Sequence, residues 1–487
     1  MASDSQINEL PLAQLAARLA IGEISAVEAT EHYLARIDQL DRRGPELNAV
    51  REINPAALTQ AIALDAARQR GESLGSLHGV PVLLKDNMAV SGGMATSGGS
   101  LALADLRPDR DCTLAARLIA AGAIVLGKAN LTEFADYLGA EMPAEFSSAG
   151  GVVNHPYGGR YGRGGGSSIG PACAVAAGLC AAAVGSETQN SLQTPAAESS
   201  IVSIKPTVGL VSRAGMVPLA MSQDTAGPMG LTVADAAALL GPMAGVDPAD
   251  SLTLTGAAYA LTDYCQFLDA NALAGSRIGI ARKQYFGRAG QQQAEAMVEK
   301  AIEQMRLAGA VIVDPADIPT ADEIAVARST VFPTEFKAGL NQFLAQYGHS
   351  SVTNSLAEII AFNEAHPEQC LQYGQDLAIN AQASAGLNSD AYRADRLRDI
   401  ALSRDSGIDA VMKQHQLDAV VTPAGAAAKL TGKAGYPVVT VPAGFTDDDQ
   451  PIGVSFIGSA WQEPRLIGLA HAFEQTGSYR RSPSLPG

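Results

Sequence analysis

The N-terminal stretch of the chain carries apolar side chains at helical spacing. From residue 7 to residue 70, leucine, isoleucine and tyrosine recur mostly every three to five positions between polar residues, which places them on one face of a helix. The same spacing continues in AALTQAIALDAARQR (56–70). The pattern therefore predicts an N-terminal helical region over about residues 7–70.

Short apolar runs flanked by glycine, proline or polar residues follow along the chain, and such runs are typical of buried strands. The runs are GVPVLL (79–84), AIVLG (123–127), IVSIKP (201–206), DAVVTP (418–423), YPVVTVPAG (436–444) and IGVSFIG (452–458). Residues 276–315 follow the order strand, helix, strand, which favours parallel pairing within one sheet. We expect one α/β domain over residues 1–487 with a mostly parallel sheet.

Three further segments complete the predicted organisation. Residues 150–170 are dense in glycine and predict a loop. The segment PACAVAAGLCAAAV (171–184) is apolar throughout and rich in alanine, so it predicts a buried helix. Residues 320–400 are mainly helical in pattern and polar, and we expect them to form a helical insertion.

Composition places the chain among globular proteins and disfavours several classes of function. Hydrophobic residues make up 47% and charged residues 17%, and the net charge of −16 argues against a nucleic-acid partner. Five cysteines without a CxxC pair and seven histidines without an HExxH motif give no sign of a disulfide framework or a metal site. The longest apolar run, residues 171–184, is shorter than the roughly 20 residues of a membrane span, and the start lacks a signal-peptide pattern. We therefore expect a cytoplasmic protein that binds neither a membrane nor nucleic acid.

Two short motifs match known active-site sequences but lack the context that those sites need. GAIVLGK (122–128) has P-loop spacing, yet its inner residues favour a strand, and alanine follows where a P-loop has Ser or Thr. GSSIG (166–170) fits the GxSxG nucleophile elbow, which needs a strand directly before the serine, whereas YGRGGG precedes it here. Nucleotide binding and an α/β-hydrolase site are therefore disfavoured.

Serines in two loops and one lysine carry the remaining candidate chemistry. Ser167 and Ser168 precede the alanine-rich segment, Ser191 follows it, and Lys85 ends an apolar run. Burial lowers the pKa of a lysine, so Lys85 is a candidate base that activates a serine without a histidine. Two ordinary interpretations stay open from the residues alone, because a lysine after a strand is often solvated and serines in glycine-rich loops often cap helices.

Several blocks of the sequence resemble the amidase signature family, and they occur in the family's order. The blocks are LHGVPVLLKDN (77–87), AGAIVLGKANLTEFA (121–135), GGGSSIGPACAVAAGL (164–179), GSETQNSLQTPAA (185–197), IKPTVGLVSR (204–213), SQDTAGPM (222–229), GYPVVTVPAGF (435–445) and PIGVSFIGSAWQEPRLIGLAHAFEQ (451–475). The signature core covers about residues 77–230, and residues 231–400 are the least similar. The resemblance implies the amidase-signature fold, a large mixed, mostly parallel twisted sheet covered by helices on both faces.

Carried over by motif, the resemblance implies a Ser–cis-Ser–Lys triad. Lys85 is then the base, Ser167 the serine that follows a cis peptide bond, and Ser191 the nucleophile, 24 residues after Ser167 as the family's pattern requires. The glycines at 164–166 give the backbone the freedom for that bend, and Ser168 supports Lys85. The backbone N–H groups expected to hold the oxyanion are those of Thr188, Gln189, Asn190 and Ser191.

The nucleophile loop departs from the family's common sequences, which read GTDTGGSIR or GTETDGS. Gln189 and Asn190 stand where Gly or Asp-Gly is usual, and asparagine tolerates a positive φ better than glutamine does. Gln193 replaces the usual arginine, which removes a cation from the wall of the site, and Ser203 replaces a common glycine. None of these changes touches the three triad positions.

The resemblance is strongest to the bacterial branch of peptide amidases, aryl acylamidases and urethanases, through FPTEFKAGLNQFL (332–344) and SLAEIIAFNEAHPEQCLQYGQDL (355–377). It implies a hydrolase of uncharged amides, anilides or carbamates that needs no cofactor or metal and acts as a monomer or homodimer. The alternative is a glutamyl-tRNA amidotransferase-type subunit that works with a partner. We expect the substrate wall in the loop 136–150, at Tyr137, Met142 and Phe146, and in the loop 214–222.

Overall fold

A single large sheet forms the centre of the protein. The structure, a computed structural model, describes residues 7–72, 75–162, 165–288 and 290–485. Within these ranges, 11 strands pair into the large sheet and two short strands form a separate ladder. The strands are Val50–Ile53 (β1), Pro81–Lys85 (β2), Ile124–Ala129 (β3), Phe146–Ser147 (β4), Gly151–Val152 (β5), Ala182–Glu187 (β6), Val202–Lys205 (β7), Thr225–Gly230 (β8), Arg277–Ile280 (β9), Val311–Val313 (β10), Ala419–Pro423 (β11), Val438–Phe445 (β12) and Pro451–Ile457 (β13).

Helices pack against this sheet and fill the long connections between its strands. The helices are Leu12–Ile21 (α1), Ala26–Arg36 (α2), Ala57–Gln69 (α3), Thr113–Ala120 (α4), Ile169–Ala176 (α5), Gln193–Glu198 (α6), Val233–Met243 (α7), Gln292–Leu307 (α8), Ala321–Val326 (α9), Val331–Tyr347 (α10), Leu356–Ala365 (α11), Pro367–Cys370 (α12), Asp376–Gln382 (α13), Asp390–Ser403 (α14), Asp409–His415 (α15), Ala428–Ala434 (α16) and Glu463–Glu474 (α17). None of the helices in the described ranges has both the length and the apolar character that crossing a bilayer requires.

The sheet is mixed, as the sequence predicts, but its middle is antiparallel. The strand order is β1-β3-β2-β6-β8-β7-β12-β13-β11-β9-β10. Parallel pairs join β2 to β3 and β6, and join β9 to β10 and β11. Between these two groups β8 runs against β6 and β7, and β12 and β13 form an antiparallel hairpin. The expected mostly parallel sheet is therefore corrected to two parallel groups around an antiparallel centre, because short connections such as the one between β12 and β13 reverse the chain.

Two predicted helical segments contain strands. The N-terminal region 7–70 forms α1, α2 and α3 but also β1, which pairs antiparallel with β3. The alanine-rich segment 171–184 is helical only to Ala176, where α5 ends, and β6 begins at Ala182. Gly178 lies between them with φ +64°, a left-handed conformation that ends helices. Alanine favours helix locally, but pairing with β2 and β8 holds residues 182–187 in the sheet.

The register of β2 and β6 determines where the serine loops meet the lysine. The two strands are parallel neighbours, with Leu84 opposite Val184. Lys85 is the last residue of β2, and β6 continues to Glu187 before the loop that carries Ser191. Because parallel strands end at the same edge of a sheet, the end of β2 and the start of the Ser191 loop lie together.

Candidate active site

Lys85 is fully buried and its ammonium group faces three serine hydroxyls. All five residues of β2 are buried, and Lys85 has no exposed surface. Its Nζ donates to Ser167 Oγ at 2.7 Å, to Ser168 Oγ at 3.0 Å and to Ser186 Oγ at 3.0 Å. Burial lowers the pKa of Lys85 to about 7, and the nearby carboxylates of Asp224 and Glu187 oppose that shift only in part. Lys85 therefore exchanges its proton near neutral pH.

Ser167 lies between Lys85 and Ser191. Its hydroxyl donates to Ser191 Oγ at 3.0 Å, and its backbone N–H donates to the same oxygen at 3.0 Å. Ser167 is fully buried, and Ser191 is 4% exposed. The three side chains predicted from the family motifs thus form one continuous hydrogen-bonded row from Lys85 Nζ to Ser191 Oγ.

The peptide bond before Ser167 differs from the expectation. In the described ranges the cis peptide bond is Asp314–Pro315, so the Gly166–Ser167 bond is trans and the predicted cis-serine is corrected. Gly166 makes the turn instead, with φ +81°, and a Cβ on it would lie 2.6 Å from both Asn190 O and Ser191 Cα. Of the glycines expected to allow the bend, Gly164 lies outside the described residues.

Ser186 and Asn87 complete the surroundings of Lys85, and the sequence analysis missed both. Ser186 Oγ accepts from Lys85 Nζ and from Asn87 Nδ2, the latter at 2.9 Å. Ser168 Oγ accepts from Ser186 N–H at 3.1 Å and donates to the Ser186 carbonyl at 2.9 Å. The parallel register of β2 and β6, which the structure shows and the local sequence does not, places position 186 beside the end of β2.

The unusual residues of the nucleophile loop fit its backbone. Asn190 has φ +72°, whereas Gln189 is absent from the positive-φ residues of the described chain, so the expected strain at glutamine does not arise. Gln193 Nε2 donates to Glu187 Oε1 at 2.7 Å, where an arginine would make an ion pair. Glu187 Oε2 also accepts from Leu192 N–H at 2.7 Å. A neutral amide thus bridges the loop to the end of β6.

Asp224 holds the other side of this loop. Its carboxylate accepts from Thr188 Oγ1 at 2.5 Å and from Leu219 N–H at 2.9 Å. Asp224 lies in the block SQDTAGPM, but no sequence pattern indicates its contact with Thr188. The backbone of residues 188–191 is therefore fixed at both ends, and its assignment as the oxyanion hole stays a prediction.

Three cavities reach the neighbourhood of the loop. The largest, about 900 Å³, touches Asn190, and a second of about 370 Å³ touches Asp224 and the predicted wall loop at Met216 and Met221. The third, about 250 Å³, is lined by Gln189 and Tyr137 among others. Substrate has room to approach the loop from more than one direction.

The predicted wall residues separate into two groups. Tyr137 lines the 250 Å³ cavity beside Gln189, and its role as a substrate contact stays a prediction. Met142 is buried at 4% exposure, and the Phe146 ring packs edge-on against Tyr373 at 5.0 Å, so neither lines the three cavities. In the described ranges no group of histidine, cysteine and carboxylate side chains has the arrangement of a metal site.

The site thus consists of a buried lysine and two serines in one hydrogen-bonded row at the edge of a large mixed sheet. The family model described as Amidase matches residues 28–434. The chain therefore belongs to the amidase family, also called the amidase signature family, and is a hydrolase of C–N bonds.

Relatives of known sequence or structure cover nearly the whole chain. The peptide amidase from Stenotrophomonas maltophilia is 43% identical, with 98% of this chain and 99% of that chain covered and a TM-score of 0.92. A probable amidase of Arabidopsis thaliana is 36% identical over 478 residues, covering 96% of this chain and 90% of the relative. A glutamyl-tRNA(Gln) amidotransferase subunit of Synechococcus sp. is 34% identical, covering 97% of this chain and 98% of the relative.

Proposed function

We propose that the protein is a stand-alone amide hydrolase that forms an acyl-enzyme on Ser191. The observation that carries the proposal is the row Lys85 Nζ–Ser167 Oγ–Ser191 Oγ, with successive separations of 2.7 and 3.0 Å. A serine hydroxyl is a weak nucleophile until a base takes its proton. Lys85 is suited to that task because burial lowers its pKa to about 7.

The proposed reaction begins with neutral Lys85. Its lone pair takes the proton of Ser167, which takes the proton of Ser191 as Ser191 Oγ attacks the carbonyl carbon. Backbone N–H groups of residues 188–191 then stabilise the oxyanion, an effect worth about 3–4 kcal/mol per donor. The relay runs backwards to give the proton to the leaving nitrogen, and water releases the acyl group by the same route.

The substrate class follows from the family and the neighbours, and its details are proposals. Amides and anilides are the expected substrates, and the similarity to the Stenotrophomonas peptide amidase supports a peptide-like acyl group. A carbamate would react by the same steps through a carbamoyl-enzyme. We place carbamates second because the similarity to a peptide amidase favours amides.

An amidotransferase subunit is the second candidate. The 34% identity to the Synechococcus amidotransferase subunit over nearly the full length favours it. The 43% identity and the TM-score of 0.92 to a peptide amidase favour the stand-alone hydrolase more strongly. The net charge of −16 also suits work beside tRNA poorly.

Release of 4-nitroaniline tests this proposal. The purified protein is given a 4-nitroanilide and the matched N-aryl carbamate, with Ser191→Ala protein as the blank. We expect turnover of the anilide that disappears in Ser191→Ala, and a smaller rate on the carbamate. Turnover that survives in Ser191→Ala would overturn the assignment of Ser191. Turnover that requires added partner protein and an ammonia acceptor would favour the amidotransferase.

A further inference from the structure

The 250 Å³ cavity beside the nucleophile loop, here called the Lys433 cavity, has an unusual set of hydrogen-bond donors. Tyr137, Gln189, Phe332, Lys429 and Lys433 are among its lining residues. Gln189 precedes Ser191 by two residues, a distance that an extended chain spans in about 7 Å. Gly432 also touches this loop, since a Cβ on it would lie 2.4 Å from Gln189 Cγ. The cavity is therefore within reach of a substrate bound at Ser191.

Lys433 is buried with donors to spare. Its side chain is 3% exposed, and its Nζ donates to Asp399 Oδ2 at 2.5 Å. An ammonium group has three N–H donors, and the residues that the structure describes supply no second acceptor. Two N–H donors of a buried cation thus remain unused at the wall of a cavity, and a buried donor is costly to leave unpaired.

Two neighbouring groups add to this set. Lys429 Nζ donates to the carbonyls of Ala325 and Ala327 at 2.9 Å each, which leaves one N–H. Tyr137 lines the same cavity, and burial raises the pKa of its hydroxyl, which therefore keeps its proton and can donate. Within the described residues, Asp399 Oδ1 is a buried acceptor without a hydrogen-bond partner. The lysine side chains that line the cavity are donors only, and a ligand with acceptor oxygens would satisfy them.

The charge at this end is positive. Lys429 and Lys433 carry two positive charges, and Asp399, which also accepts from Ser329 Oγ at 2.8 Å, carries one negative charge. The Arg396 cation also lies here, since its Nη1 donates to the Lys433 carbonyl at 3.3 Å, and the Glu335 carboxylate acts on it. This local excess occurs in a protein of net charge −16.

Part of the cavity lining is apolar. The Tyr137 ring meets the Phe332 ring edge-on at 5.6 Å, and Pro333 follows Phe332 at the cavity surface. A ligand that matches both the apolar and the cationic parts of this lining has an apolar chain or ring that ends in a group of negatively charged oxygens. A carboxylate fits this description, since it has two acceptor oxygens and no donor.

We propose that the Lys433 cavity binds a carboxylate of the substrate, joined to the scissile amide by a short apolar spacer, and that Lys433 determines this specificity. The inference rests on the proposed amide hydrolysis and names its substrate class. It refines the expectation of an uncharged substrate, because the charge lies away from the amide that is cleaved. Lys433 and Lys429 form charge-assisted hydrogen bonds to the carboxylate, and the Tyr137 hydroxyl donates to the same group.

Binding to Ser191→Ala protein tests the proposal without turnover. Calorimetry measures the dissociation constants of 4-nitroanilides that carry a terminal carboxylate on acyl chains of increasing length, and of their methyl esters. A second pair, 4-acylaminobenzoates and their methyl esters, places the carboxylate on the amine side. We expect one carboxylate series to bind about tenfold or more tightly than its ester, as hydrogen bonds to a charged group allow.

Lys433→Met, made in the Ser191→Ala protein, should abolish that preference and leave binding of the esters within about twofold. Because Lys433→Met leaves Asp399 without its cation, the double variant Lys433→Met/Asp399→Asn is measured beside it. Lys413→Met is the matched control, since Lys413 is an exposed lysine on α15 and its loss changes the net charge equally. The Lys413→Met variant should keep the preference for the carboxylate over its ester.

Equal binding of acid and ester in both series would overturn the proposal, as would a preference that survives in both Lys433 variants. Failure of the proposed function has a different signature, because the protein with Ser191 intact would then release no 4-nitroaniline from any anilide. The two outcomes are therefore distinguishable in the same set of experiments.

Discussion

At the scale of single residues, the environment of Lys85 explains why this lysine differs from an ordinary one. It has no exposed surface, and its hydrogen-bond partners are neutral hydroxyls rather than a carboxylate. Lys128 is also buried but pairs with Asp86 at 3.2 Å, so its positive charge is compensated directly. Lys85 lacks such direct compensation, and this makes its neutral form accessible.

The pH dependence of kcat/KM follows from this environment. Neutral Lys85 is the active form, and burial lowers its pKa to about 7. We therefore expect kcat/KM to rise with pH through about 7 and then level off. A profile that rises only near pH 10, the ordinary range of lysine at about 10.4, would show that Lys85 is not the base.

Ser186 positions Lys85 and can be tested separately from the triad. Ser186→Ala removes one acceptor of the Lys85 ammonium and of Asn87 Nδ2. We expect kcat to fall about tenfold at nearly constant KM, and the acidic limb of the pH profile to move to lower pH, because the ammonium loses a hydrogen bond.

Ser186→Thr keeps the hydroxyl and should restore both kcat and the pH of the acidic limb to their wild-type values. If Ser186 had a purely structural role, the acidic limb of the pH profile would lie at the same pH in Ser186→Ala as in the wild-type protein. An unchanged kcat in Ser186→Ala would contradict the positioning role altogether.

At the scale of elements, the nucleophile loop is held from the outside by α16. Gly432 in this helix lies against the loop so closely that a Cβ would be 2.5 Å from Thr188 O and 2.4 Å from Gln189 Cγ. A backbone carbonyl cannot move aside as a flexible side chain can. The short helix therefore fixes the position of the residues whose N–H groups are proposed to hold the oxyanion.

Gly432→Ala tests this contact. The added methyl group should displace the loop, lower kcat about tenfold or more, and cost about 1–3 kcal/mol of stability as overpacking does. Initial rates and urea unfolding measure the two effects. Gly348→Ala is the control, because its nearest neighbour would be at an ordinary 3.5 Å. Wild-type rates in Gly432→Ala would show that the loop does not depend on α16.

The sequence predicted those elements whose local pattern agrees with their final environment. The runs that became β2, β3, β7, β11, β12 and β13 are compact and apolar, and they are buried in the sheet. The segment that became β6 was predicted as helix, because the local preference of alanine conflicts with the pairing to β2 and β8. β1 was missed because its four residues include Arg51 and Glu52, and its place depends on β3.

In the candidate site, too, residues that belong to a family motif were predicted, and residues that depend on long-range contacts were not. Lys85, Ser167 and Ser191 were found through family motifs, and the structure places them in one row. Ser186 and Asp224 act through contacts between segments far apart in the chain, which local sequence does not encode. The trans bond before Ser167 was likewise outside the reach of the motif, which fixes residue types and not backbone geometry.

At the scale of the whole molecule, the candidate triad and the proposed carboxylate cavity draw on distant parts of one sheet. Lys85 ends β2, and Lys433 lies in α16, next in sequence to β12 near the middle of the strand order. Hydrogen-bonded neighbours connect every strand of the large sheet from β1 to β10. The expectation of a single domain over residues 1–487 implies that this sheet unfolds as one unit.

Urea unfolding tests the single domain. The single tryptophan of the sequence, Trp461, stacks on Tyr259 at 5.0 Å and reports locally by fluorescence, whereas far-UV circular dichroism reports on all helices. We expect the two probes to give the same midpoint. A fluorescence transition well separated from the dichroism transition would indicate independently folding parts.

The central claim is that Lys85, acting through Ser167, activates Ser191, and covalent labelling tests it most directly. The protein is treated with a fluorophosphonate, and mass spectrometry gives the rate of labelling and the modified peptide. We predict a single label on Ser191, slowed about 10²–10⁴-fold in Lys85→Met and in Ser167→Ala and unchanged in the control Lys413→Met. Labelling of Lys85→Met at the wild-type rate, or a label on a different serine, would contradict the account.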